Sequence, residues 1–175
     1  MIGRSATPSP APTRQPDNAL PALQAALAGE HAAVYGYGVA GALLSGADEE
    51  EARVALAAHQ ERREALSHSI RQLGGQPEAA APAYQLPFEV ADADSARRLA
   101  THLEEGVAAA EADVVFTTVA DLRLAAAEAL REATVRAVRW RGGTVAFPGL
   151  PEREPGAGPS GSSAPSASAT RPGGA

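Results

Sequence analysis

Apolar residues recur along the middle of the chain at alternating spacings of three and four, and this period restricts the fold more than any other feature. Leu20, Leu23, Leu27, Val34, Tyr37, Gly41 and Leu44 share one helical face, with Glu30 set among them. A second segment aligns Ala52, Leu56, His59, Arg63, Leu66, Ile70 and Leu73, and a fourth aligns Leu124, Glu128, Arg131, Val135 and Val138. In each of these stripes a charged or titratable residue stands where a core position belongs.

The punctuation predicts where the helices stop. The first runs over about 19–44, with Asp17 or Asn18 as its cap and Gly46 closing it. The second starts at Asp48, read as a cap paired with Glu51 in a capping box, and ends at Gly74-Gly75. From Gln76 to Asp94 three prolines and no helical period mark a long connection, whose Tyr84, Leu86, Phe88 and Val90 are candidates to strap onto the helices. The third helix covers about 95–119 and the fourth about 122–141, where Gly142-Gly143 ends it. Neither Gly nor Pro separates these two, but one unbroken helix from Ser95 to Trp140 would be about 70 Å long, too long for a compact domain. The β-branched run Thr117-Thr118-Val119 is therefore read as a break, with Asp121 as the next cap.

Short turn, long connection, short turn predicts an all-α fold, a four-helix bundle with one long crossover between helices 2 and 3, the ferritin-like connectivity. The bundle is expected over residues 18–152. Residues 1–17 and 153–175 are rich in Pro, Gly, Ser and Ala without apolar anchors and read as disordered tails. Phe147 and Leu150, just past the fourth helix, are expected to fold back over one end of the bundle.

Composition narrows the chemistry. The absence of cysteine excludes disulfides, thiolate metal sites and a cysteine nucleophile, and the 15 basic residues are all Arg, which excludes a Schiff-base lysine and a Walker-type loop. A net charge of -6 with arginines scattered among acids argues against nucleic-acid binding. No signal peptide and no membrane-spanning stretch is visible, so a cytoplasmic location is expected. No GxSxG elbow or Gly-rich phosphate loop supports a hydrolase.

The segments LAGEHAAVYGYGVAGALL, AAHQERREALSHSIRQLGG, YQLPFEV and AVRWRGGTVAFPGLPE resemble the bacterial ferritin-like family known as domain of unknown function 4439, over roughly Leu20 to Glu152. That family has no assigned activity, so the resemblance implies a fold and little chemistry. Ferritin-like di-metal sites use a lone Glu on each of two helices and a Glu-x-x-His pair on each of the others. Glu30 matches the first lone Glu. His59 suits the histidine of a pair whose Glu position holds Leu56; if His59 stands at the Glu position instead, Arg62 takes the place of histidine. The third helix offers Glu104 and Glu111, of which Glu111 lies nearer the middle. The fourth keeps Glu128 but has Arg131 in place of histidine.

Two readings of this polar seam follow. In one, Glu30, His59, Glu111 and Glu128 hold Fe or Mn, with Tyr35 or Tyr37 close by, in an oxidase or iron-handling protein. In the favoured one, Glu30, His59, Arg63, Glu111, Glu128 and Arg131 form a polar core cluster in which guanidinium groups replace the metal, since each presents five donors to carboxylates. The expectation is then a non-catalytic binding or structural bundle without cofactor, self-associating through a helix face. A small-ligand carrier using the Tyr- and Gly-rich face of the first helix is a third possibility.

Overall fold

The structure, a computed structural model, describes residues 19–118 and 120–142. The expected tails, the capping by Asp17 or Asn18 and the placement of Phe147 and Leu150 lie outside the described residues. Four helices follow one another: α1 (Ala19–Gly41), α2 (Gly46–Gln72), α3 (Ala93–Thr117) and α4 (Ala120–Arg141).

Their directions can be read from the core, which has two apolar ends. At one end Leu23 and Leu27 of α1 meet Leu66 and Ile70 of α2, Val114 of α3 and Ala126 of α4. At the other, Tyr37 and Ala40 meet Ala52 and Ala55, Leu99 and Ala100, and Trp140. Hence α1 and α4 run one way and α2 and α3 the other. Because α2 and α3 are parallel, the chain must travel the length of the bundle between them, and residues 73–92 do so without helix. This is the all-α four-helix bundle with one long crossover that the sequence predicts.

Local chemistry fixes the ends of the elements. Gly74 adopts φ 77° and the Gly75 and Gly74 amides donate to the carbonyls of Ile70 and Arg71, a Schellman closure of α2. α3 begins with a capping box in which Asp92 accepts from the Ser95 amide at 2.8 Å and Ser95 Oγ accepts from the Asp92 amide at 3.0 Å. A break follows Thr117 as expected, and Thr118 turns both its amide and its hydroxyl onto the Val114 carbonyl.

Three end signals differ from expectation: Asp121 lies inside the first turn of α4 rather than capping it, Gly46 opens α2 instead of closing α1, and the cap of α2 is displaced. α1 stops at Gly41, and α2 starts at Gly46 with Ser45, not Asp48, at its N-cap. Asp48 accepts at 2.7 Å from Arg97 of α3, because the two parallel helices begin at the same end of the bundle.

The crossover is tied to α1. The Gln24 amide donates to Gln76 O and accepts from the Glu78 amide, and Tyr84 lies against Tyr35 at 5.6 Å between ring centroids. Leu86 and Val90 pack on the core, whereas Phe88 is 37% exposed beneath the Arg98 guanidinium.

α4 presents a different face from the one its larger apolar residues suggest. Ala126, Ala129, Ala133, Ala137 and Trp140 are buried, while Leu124 and Val135 are 64% and 40% exposed. Alanine lets the helix approach its neighbours closely, so the seam is built from the smallest side chains. The same preference appears at Gly36 of α1, where an added Cβ would lie 2.5 Å from Leu103 Cδ1.

This register makes a testable distinction. Ala133→Leu is expected to lower unfolding free energy by about 1–3 kcal/mol through overpacking. Glu128→Ala, on the outer face, should stay within about 0.5 kcal/mol of the parent in urea titrations of dilute protein.

Candidate functional site

Between the two apolar ends the core narrows to Ala33, Val107 and Ala133, and here the bundle buries charge. Glu30, His59 and Glu104 are fully buried and Glu111 is 2% exposed. An unpaired carboxylate in such a place is costly, so what faces each group decides what the site can do.

His59 of α2 lies between two carboxylates. Its Nδ1 is 2.7 Å from Glu30 Oε2 on α1, and its Nε2 is 3.2 Å from Glu104 Oε1 on α3. Burial opposes a charge on the ring, but hydrogen bonds and attraction from Glu104 and Glu30 outweigh it and raise the pKa. When protonated, the ring has a donor for each carboxylate. For Glu104, burial is again the largest opposing influence, and His59, Arg136 and Tyr37 together still hold its pKa below the ordinary value.

Glu104 Oε1 gathers further donors. Tyr37 Oη donates to it at 2.7 Å and Arg136 Nε at 2.7 Å, while Trp140 Nε1 donates to Tyr37 Oη at 2.8 Å. Burial first, and then the Glu104 carboxylate, push the Tyr37 phenol upward, so it remains a hydrogen-bond donor. Its ring also stacks on His59 at 5.2 Å between centroids. Arg62 completes the layer, with Nη1 at 3.4 Å from Glu30 and Nη2 at 2.8 Å from Glu132, and Arg136 Nη1 lies 3.8 Å from the same Glu132 oxygen. Three acidic side chains thus meet three basic ones.

Glu111 is outside this pairing. It makes no hydrogen bond among the described residues, and burial, followed by repulsion from Glu30, pushes its pKa up to about 7 against a smaller pull from Arg62. It lines a cleft of about 70 Å³ between α2 and α4, walled by Leu66, Val114, Ala126 and Ala129, which has room for about two waters. Glu104 Oε2 and Arg136 Nη2 are also buried without a hydrogen-bond partner among the described residues.

The candidates read from sequence separate into two groups. Glu30, His59 and Glu111 lie in the buried layer. Arg63, Glu128 and Arg131 do not: Arg63 pairs with its neighbour Glu64 at 2.8 Å, Glu128 is exposed, and the Arg131 side chain is 70% exposed. For Glu128 and Arg131 the cause is the phase of α4, whose buried face is the alanine seam opposite them. For Arg63 it is the side of the α2 stripe that meets α4, which belongs to Arg62. Sequence reasoning missed Arg136 altogether, although its position one turn before Trp140 on the alanine side was a usable signal. Tyr37 is a core residue in this layer, and Tyr35 contacts the crossover.

Among the described residues no group of three or more His, Asp and Glu side chains is disposed to hold a metal ion. None of the described helices is long and apolar enough to cross a membrane.

The sequence pattern of the family described as a domain of unknown function (DUF4439) matches residues 22–152, most of the chain. The chain belongs to this DUF4439 family. A crystal structure of a conserved hypothetical protein from Mycobacterium tuberculosis is similar, with 37% identity and a TM-score of 0.71 over 73% of this chain and 98% of that one. No curated protein matches. The matched range runs from the first turn of α1 past the end of α4 and so contains every residue of the buried layer.

Two measurements follow from this geometry. Arg136→Ala removes one of the two charged partners of the buried Glu104 and should cost about 3–5 kcal/mol in unfolding free energy. Glu111 holds its proton in the folded chain up to about pH 7, while the unfolded chain gives it up near 4.5, so stability falls as pH rises across that window. Glu111→Gln should flatten that fall and raise stability at pH 8 by about 1–3 kcal/mol.

Proposed function

We propose that this DUF4439 protein is a non-catalytic, ferritin-like bundle in which arginine and protonated histidine stand where a di-metal centre would, and that its role is binding or structural. The observation that supports this most is the bracketing of His59. A histidine that ligates a metal turns one unprotonated nitrogen to the ion and donates from the other. Here both nitrogens face carboxylates at hydrogen-bond distance.

The remaining donors favour the same reading. Arg62 and Arg136 direct guanidinium nitrogens at Glu30 and Glu104, the two carboxylates an ion would need. A divalent cation beside either would be repelled, whereas a guanidinium satisfies a carboxylate directly. Carboxylates and imidazole are donors that Fe or Mn accept, but the guanidinium groups of Arg62 and Arg136 occupy Glu30 and Glu104, so the site as a whole does not fit either ion. With Glu30, Glu104 and Glu132 paired to His59, Arg62 and Arg136, the layer fixes how the four helices meet and leaves the outer faces for recognition.

Anaerobic loading with Fe(II) and Mn(II), followed by mass spectrometry and thermal unfolding, tests the proposal. Metal well below one ion per chain and an unchanged melting temperature are expected. A stoichiometric ion that stabilises the fold, by about 2.7 kcal/mol at a hundredfold excess over Kd, would overturn it.

A further inference from the structure

The outer face of α4 carries a pattern that the buried layer does not use. Leu124, Glu128, Arg131 and Val135 lie at spacings of four, three and four, within a narrow stripe spanning three turns, about 16 Å. This stripe is directly opposite the seam of Ala126, Ala129, Ala133, Ala137 and Trp140. Leu124 is 64% and Val135 40% exposed, the Arg131 side chain is 70% exposed, and Glu128 is exposed. Among the described residues Arg131 makes only a long contact, 3.9 Å, with Glu132.

The order of these four residues reads as its own complement when reversed: apolar, acidic, basic, apolar. A second α4 laid antiparallel, with its two-fold axis midway between Glu128 and Arg131, sets Leu124 against Val135 of the other copy and Glu128 against Arg131, each pair twice. A parallel arrangement would set Glu128 against Glu128 and Arg131 against Arg131. Isologous contact of this kind is the usual geometry of soluble homodimers.

We infer that a second copy of this chain docks on the outer face of α4, antiparallel about that axis, to form a symmetric dimer. The two apolar pairs supply the burial, and the exposed ion pairs set direction and register more than affinity. A single helix face buries less than the roughly 1,600 Å² of a standard interface, so the dimer is weak and dissociates on dilution. The inference does not depend on the role of the buried layer, which belongs to the opposite side of the same helix.

Sedimentation of the full chain over a range of concentrations up to about 1 mM, where even weak association registers, tests it. A monomer–dimer equilibrium is expected, with Leu124→Asp abolishing the dimer. Glu128→Arg alone and Arg131→Glu alone should each weaken it by about tenfold or more, and the two together should restore it, because the reversed charges again oppose each other. The chain has no cysteine of its own. Under mild oxidation, Leu124→Cys and Val135→Cys proteins mixed together should therefore cross-link to each other faster than either does to itself. A chain that stays monomeric throughout, a dimer indifferent to Leu124→Asp, or a doubly exchanged variant that stays as weak as the singles would overturn the inference.

Discussion

Withdrawing two carboxylates from water in the middle of a helical bundle is the constraint on which the rest of this structure depends. Glu30 and Glu104 are fully buried, and each would be untenable without a partner that neutralises it. His59 lies between them, Arg62 and Arg136 approach from α2 and α4, and Tyr37 adds a neutral donor held in turn by Trp140. Every helix contributes to this layer. The register of each helix against the others is therefore set by polar geometry at the waist, while Ala, Leu and Val fill the two ends.

The same constraint explains the seam of small residues. Side chains as long as Arg, Glu and His converge from four directions only if the intervening positions stay out of their way. Ala33 and Ala133 are fully buried beside the layer, and Gly36 yields its space to Leu103. The crossover follows from it as well, since parallel α2 and α3 bring His59 and Glu104 to one level, and their connection must run the whole length of the bundle.

Much of this was legible in the sequence. The four helices, the break at Thr117-Thr118-Val119 and the long connection were signalled by period and punctuation, because backbone hydrogen bonding and side-chain patterning obey local rules. Glu30 and His59 stood out as polar residues inside apolar stripes. The partners were harder to read. Arg62 and Arg63 flank the same stripe, and only the position of α4 decides between them. On α4 the eye follows Leu124 and Val135, whereas burial follows Ala126, Ala129, Ala133 and Ala137, so Glu128 and Arg131 were placed inside and Arg136 was passed over. An alanine seam has weak hydrophobic contrast, and its phase is fixed by tertiary packing instead.

The protonation state of His59 is the most direct test of the account. Long-range nitrogen-15 NMR correlation resolves both ring nitrogens of the 4 histidines in this chain. Bracketed by Glu30 and Glu104, His59 is expected to keep protons on both Nδ1 and Nε2 to higher pH than an ordinary histidine does. A His59 ring that gives up its proton at the pH of an ordinary histidine or below would contradict this, because a neutral ring has a lone pair free for a metal and no longer balances the two carboxylates.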